Sequence, residues 1–555
     1  MSRLKFVAFI ALITLAFGVT LVNDAQAAAP FPKGGRILVQ GTPIHGANGI
    51  YFDQNGLLYV ASVAGRDISV MDPKSGKILR RIGPEQGVEG PDDLTFGPDG
   101  SLYWTSLFTG EVGRLSPDGV KTGQMVAPGA NPITFSSDGR LFVALDFLGD
   151  GLYELDADLV NPPQLLVPTL GFLNGMDFGP DGYLYGPIWT QGKVVRIDLN
   201  AKTVTTVADG LGIPAAVKFD SQGRLHALDH LSGEVLRIDV QTGAKQVITR
   251  LEPGLDNLAF DSNDRLFVSH SEDSSIVEIL PSGQARVVSP GGLMAPGGIA
   301  VMAGPRGKES IFIGDTFTLR EFDVVSGRQK SVARNFLGVP GITSPLTVSL
   351  DGQNLVLSSW FGNAVQVWNP ETRQVLENYN DFAVPMNAIR FQGDLVVIEL
   401  GHSAGAARVV RVTPSGRVTL ADAADGLVVP VGLTSSDGNL WVSDWYTGKV
   451  WQIVANGLPL ATPILVAQGL TNPEGLAVDR DGSLLVVESM ADCLSRINLS
   501  TGEVTTVADG MLIGAETIPG TPPTWTFNGV AVGPSGVIYV TGARGNVVYR
   551  FNPVK

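Results

Sequence analysis

Leu255-Asp-Asn-Leu-Ala-Phe-Asp-Ser-Asn-Asp-Arg-Leu-Phe-Val-Ser-His270 is the stretch on which the fold turns. Two apolar runs, 258–260 and 266–268, flank a polar turn at 261–265, which is the pattern of a β-hairpin. Antiparallel pairing sets the start of the first run beside the end of the second. Asp256 and Asn257 are therefore expected near His270, at one end of the hairpin. Carboxylate and amide oxygens suit a hard cation such as calcium, and an imidazole carries protons.

The same hairpin recurs in both directions along the chain. Clear copies are Pro98-Asp-Gly-Ser-Leu-Tyr-Trp-Thr105, Pro180-Asp-Gly-Tyr-Leu-Tyr185, Asp437-Gly-Asn-Leu-Trp-Val-Ser-Asp444 and Asp481-Gly-Ser-Leu-Leu-Val-Val-Glu488. Two further short strands follow each copy, so the repeat is a four-stranded unit of about 40–45 residues, present roughly twelve times. A lone blade leaves both faces uncovered, so the units must stack around an axis. The fold expected is all-β, two tandem six-bladed β-propellers, the first over 42–293 and the second over 294–555. The last unit stops after three strands, and the orphan strand 36–40 is the candidate for its fourth.

In a propeller the first strand of each blade lines the channel. In the first ring these strands start at Asn48, Asp92, Asn131, Asn174, Ala215 and Asp256. Oxygen ligands from several blades would make a calcium site. Asn and Asp also cap strand ends by bonding nearby backbone, and both readings stand open on the residues alone. The second ring is less regular, with Gly297, Ser344, Asn387, Val431, Glu474 and Asn528 at these positions. Its second strands end in Asp315, Glu399, Asp444 and Glu488, which read as solvated mouth residues.

These repeats resemble the NHL-repeat proteins and the gluconolactonase/senescence-marker-protein family of six-bladed propellers. Asp256-Asn257, followed by a strand pair ending in Ser269-His270, resembles the Asp-Asn and His signature of the paraoxonase lactonases. Pro91-Asp-Asp-Leu94 and Asn174-Gly-Met-Asp-Phe-Gly-Pro-Asp-Gly182 resemble blade entries of the same group. The resemblance implies calcium bound by Asp92, Asn174, Asp256 and Asn257, with Asn48 and Asn131 as further candidates and His270 beside the metal. Ala215 departs from the pattern. The paraoxonase disulfide has no counterpart, because Cys493 is the one cysteine. Asp229 holds the position of His270 one blade earlier and is the candidate for orienting it.

The function expected is a calcium-dependent lactone or ester hydrolase in which the cation polarises the carbonyl and His270, with Asp229, activates water. Two alternatives stand beside it: a non-catalytic periplasmic scaffold for a protein, peptide or sugar, and a lyase resembling virginiamycin B lyase. No Gly-x-Ser-x-Gly elbow in a strand-to-helix setting and no phosphate-binding loop is present. A net charge of −15 without a basic stripe argues against nucleic acid.

Residues 1–28 read as a secretory signal: Arg3 and Lys5, then an apolar stretch at 6–22, then Ala25-Gln-Ala27 for cleavage. Periplasmic or secreted localisation follows, without a stable membrane span after cleavage. Mass spectrometry of the exported protein should find a mature N-terminus near Ala28. An intact Met1 on the soluble protein would contradict this.

Overall fold

The computed structural model describes residues 34–304 and 307–553, and the leader expected at 1–28 lies outside them. Among the described residues the architecture is all-β, with twelve four-stranded antiparallel sheets. The helical pieces are short 3-10 turns such as Pro84–Gln86, Trp189–Gln191 and Ala423–Asp425. No helix among these residues is long and apolar enough to cross a membrane, which says nothing about crossing by strands.

Among the described residues the chain divides into two compact units, one over Thr42–Met294 with Ile518–Thr521, the other over 34–41, Ala295–Thr517 and 522–553. In the first unit the opening strands of six sheets are Ile50–Phe52, Pro91–Phe96, Ala130–Phe135, Asp177–Phe178, Pro214–Phe219 and Leu255–Phe260. Each touches the next, and the sixth touches the first. The second unit repeats this cyclic order with Pro296–Ala303, Thr347–Asp351, Pro385–Phe391, Pro430–Ser436, Pro473–Val478 and Val530–Val532. Its last sheet takes three strands from the C-terminal end and one, Gly35–Gln40, from the N-terminal end. That strand lies antiparallel to Val547–Phe551, with Arg36 opposite Arg550.

Apolar alternation along the strands places the core between neighbouring sheets. Ala216, Leu228 and Val235 of the fifth sheet pack on Leu255, Leu258 and Val268 of the sixth. Ala259, Phe267 and Ile276 of the sixth pack on Ile50, Leu58 and Val60 of the first, sealing that circle.

A bulge recurs where the opening strands begin. Leu255 faces His270 and Leu258 faces Val268, with a register shift between. The shifts after Pro91, Pro214, Pro430 and Pro473 have the same form. A bulge twists the strand and redirects its side chains, so the Asp and Asn residues at the strand starts swing together. A hydroxyl near the end of the second strand holds the bulge. Ser269 Oγ accepts from Asn257 N–H at 3.0 Å and donates to the Asn48 carbonyl of the next sheet at 2.6 Å. Ser443 joins Gly432 N–H to the Glu474 carbonyl, and Thr541 joins Gly529 N–H to the Gly297 carbonyl, in the same way.

Beside these clamps the opening strands come so close that small residues are required. A Cβ on Gly175 would stand 2.5 Å from Ala216 Cα, and one on Gly49 would stand 2.7 Å from Asp93 Cα. Ser269 is fully buried, so Ser269→Ala leaves two polar groups unpaired and should cost roughly 1–3 kcal/mol. Urea denaturation should show a lowered midpoint for Ser269→Ala. An unchanged midpoint would mean that the clamp does not hold the circle closed.

Candidate functional site

At the rim where the first unit's opening strands begin, the bulges gather acidic side chains with little solvent. Asp92 and Asp93 are buried at the start of Pro91–Phe96, and Asp146 is buried just past the end of Leu141–Leu145. Burial drives the Asp92 carboxyl well above its ordinary range, and the charges of Asp256, Asp93 and Asp146 add to it. Burial likewise raises Asp256, against the lowering influence of His230 and a Ser271 hydrogen bond. Asp146 is pushed to about 7 by burial, although the Trp189 indole and the Phe147 N–H both donate to its Oδ1, at 2.7 and 2.8 Å. Its Oδ2 has no hydrogen-bond partner among the described residues. The negative charges of Asp92, Asp146 and Asp256 thus act on one another across this rim.

His230 stands beside Asp256. Its Nδ1 lies 2.9 Å from the Leu255 carbonyl, so that nitrogen carries the proton and donates. Its Nε2 is 3.5 Å from Glu272 Oε1, and Glu272 is buried. Burial alone would depress the imidazole, but the Glu272 bond and charge, the Leu255 carbonyl and Asp256 outweigh it and leave His230 above its ordinary value.

His270 and Asp229, the pair the sequence suggests for catalysis, are both bonded to backbone. His270 Nε2 is 2.8 Å from the Pro253 carbonyl, so it donates there, and Nδ1 accepts from Asp273 N–H at 3.2 Å. Both ring nitrogens are committed to backbone. Asp229 accepts from Gly212, Ile213 and Leu231 N–H groups at 2.6, 3.0 and 3.1 Å, and so anchors the loop entering its own sheet.

The amide candidates are also occupied. Asn257 Oδ1 accepts from Leu258 N–H at 2.8 Å, while its Nδ2 donates to Asp93 Oδ1 at 3.2 Å. Asn174 Oδ1 accepts from Gly175 N–H at 2.8 Å and from Asn131 Nδ2 at 3.2 Å. Asn48 Oδ1 accepts from Val63 N–H at 3.3 Å. Among the described residues no three His, Cys, Asp or Glu side chains come together as a metal-holding group. By chemistry, the oxygen donors here that suit a hard cation are the carboxylates of Asp92 and Asp256. The asparagines brace the bulges.

Below this rim the sequence reading missed a charged floor. Lys218 lies 3.5 Å from Asp177 and 5.0 Å from the centre of the Tyr51 ring. Burial would lower its ammonium, but Asp177, Tyr51 and Asp93 hold it above its usual value. A water-sized cavity between Tyr51, Asp93, Lys218 and Asn257 is what remains of the axis there. Tyr51, Asp177 and Lys218 each fall three residues after a strand-start position, a register that could have revealed them.

In the second unit the carboxylates expected to be solvated are buried. Asp444 accepts from Val428 and Val429 N–H groups, Glu399 from Ala383 N–H and Arg408, and Asp315 from Ala295 N–H and Arg320. Such carboxylates hold incoming loops, as Asp229 does. Glu474 differs. It is buried, it accepts from Asn528 N–H and Nδ2 on one oxygen at 2.5 and 2.7 Å, and burial raises it to about 7.

Comparison with known proteins bears on the first unit. Residues 94–292 match the family described as "SMP-30/Gluconolactonase/LRE-like region". No curated protein matches the chain. Among solved structures the chain is similar to a streptogramin B lyase, at 17% identity over 54% of this chain and 97% of that one, TM-score 0.38. It is similar to a catalytically inactive virginiamycin B lyase from Staphylococcus aureus with quinupristin, at 16% identity over 50% and 94%, TM-score 0.36. It is also similar to an extracellular domain from B. thetaiotaomicron, described as that of a hybrid two-component system, at 12% identity over 94% and 83%, TM-score 0.35. At these scores nothing about chemistry transfers to this chain.

Glu474 yields a pH prediction. Its carboxyl is raised in the fold from 4.5 to about 7, so the folded state binds the proton more tightly than the unfolded one. The stability it contributes is complete below about 4.5 and is lost as pH rises to about 7, on the order of 3 kcal/mol across the window. Glu474→Gln keeps the acceptor for Asn528 and should flatten this decline in pH-dependent denaturation. A variant that still loses the same stability over that window would show that Glu474 does not titrate there.

Proposed function

We propose that this chain, whose residues 94–292 match the SMP-30/gluconolactonase/LRE-like propeller family, is an exported protein of two six-bladed propellers whose first ring hydrolyses a lactone or ester with calcium's help. The rings span 42–293 and 294–555, the second closed by 36–40. The observation that carries the activity is His230 Nε2 lying 3.5 Å from the buried Glu272 carboxylate, beside a rim where the charges of Asp92, Asp146 and Asp256 act on one another.

Asp92 and Asp256 would hold the cation. Two carboxylates belong to the weak, extracellular end of calcium affinities, about 10⁻⁴–10⁻³ M. Bound there, calcium would polarise the substrate carbonyl and share the negative charge that develops on its oxygen. His230 does the proton work. The Leu255 carbonyl fixes its tautomer, which leaves Nε2 to take a proton from the attacking water and return it to the departing alcohol oxygen. Glu272 steadies the imidazolium between these transfers. The charged floor at Lys218 and Asp177 keeps the substrate at the rim.

The base form of His230 fills only above its raised pKa, so kcat/KM should rise with pH through a value above 6.5. His230→Gln should lower lactone hydrolysis on the order of 10²-fold or more while keeping the calcium-dependent shift in melting temperature. Asp256→Asn should lose that shift. His270→Gln should retain turnover. If chelation alters neither stability nor hydrolysis in a screen of lactones and esters, the rim is a ligand-binding scaffold.

A further inference from the structure

Beside Asp146 stand three half-buried aromatic rings that the hydrolytic chemistry does not use. Phe147 and Trp189 have ring centres 5.5 Å apart with planes inclined by 32°, and Phe172 and Trp189 are 6.1 Å apart at 44°. Two of the three sit on unusual backbone. Phe147 has φ of 57° and Phe172 of 68°, the left-handed region that bulky residues avoid. Such conformations persist where the surroundings enforce them, and they gather at ligand sites.

The enforcement here comes from carboxylates. Asp146 Oδ1 accepts the Phe147 N–H and the Trp189 indole. Asp150 accepts from Leu170 and Gly171 N–H groups at 3.0 and 2.9 Å and from Phe172 N–H at 3.4 Å, fixing the turn that carries the second phenylalanine. Trp189 itself sits on a 3-10 turn directly after Leu184–Ile188. A core needs no such arrangement, because aromatic rings packed between sheets reach their places on ordinary strands, as Phe142 and Phe267 do. The three rings remain partly open to solvent, while Asp146 beside them is fully buried with Oδ2 unpartnered.

We propose that Phe147, Phe172 and Trp189 form a pre-oriented subsite for a flat aromatic group, with Asp146 Oδ2 as the polar contact for an oxygen or nitrogen next to that ring. Resting on the hydrolase reading, this makes the substrate an ester or lactone bearing an aryl group close to its carbonyl. Preordered rings lose little freedom on binding, and a planar ring gains stacking that a saturated ring of similar size does not.

The test is a binding measurement that needs no turnover. Acetanilide and N-cyclohexylacetamide carry the same amide, one with an aryl and one with a saturated ring. NMR titration of the full-length protein should show acetanilide binding tighter by about two- to tenfold. Trp189→Leu and Phe172→Leu, each checked for an unchanged thermal transition, should abolish the preference. A Phe361→Leu variant in the second unit should keep it. Equal binding of the two amides by the wild-type protein would overturn the inference, as would a preference that survives Trp189→Leu. Because no ester is cleaved, a protein that prefers the aryl amide yet hydrolyses nothing would keep this subsite while removing the hydrolase. A hydrolase without the preference would do the reverse.

Discussion

The hydroxyl clamp at the strand starts is the interaction on which the rest depends. Ser269 bonds the bulged Asn257 N–H and the Asn48 carbonyl, and so joins the sixth sheet to the first. Thr541 does the same between the last and first sheets of the second unit. Closure brings the opening strands within touching distance, which admits only small residues at positions such as Gly49 and Gly175. Each bulge also turns adjacent polar residues toward one place. Ring closure and site assembly therefore share one local device, in which a single buried hydroxyl satisfies both a donor and an acceptor.

That device gathers charge, and the two units handle it differently. In the second unit most rim carboxylates are neutralised by incoming N–H groups or by arginine, as with Asp315 and Arg320 at 2.6 Å. In the first unit the charges of Asp256, Asp93 and Asp146 raise Asp92, and the charge of His230 lowers Asp256. A buried carboxylate without sufficient compensation takes up a proton or holds a cation. The imbalance sets the first unit's chemistry apart from the second's.

Much of the architecture was legible because it depends on local patterns repeated many times. Apolar strands around Asp-Gly turns read directly as sheets, 36–40 reads as an orphan strand, and Asp92 and Asp256 stand out by position. The roles of His270 and Asp229 were not legible. Their register puts them at the right end of the hairpin, but what each bonds depends on which backbone arrives beside it: Pro253 and Asp273 for His270, and Gly212, Ile213 and Leu231 for Asp229. His230 meets Glu272, which lies beyond the hairpin that drew attention to His270. Asp146 lies in the irregular turn between Leu141–Leu145 and Gly151–Leu155, where alternation carries no signal.

The proposed hydrolysis depends on a cation held by the carboxylates at the first unit's rim. Crystals of the mature protein grown with terbium, a luminescent and strongly scattering substitute for calcium, would reveal that ion. An anomalous difference peak is expected within coordinating distance of Asp92 and Asp256, about 2.3–2.6 Å from their oxygens, and its loss in Asp256→Asn crystals. A rim without anomalous density, in crystals whose terbium is bound elsewhere on the same protein, would contradict it.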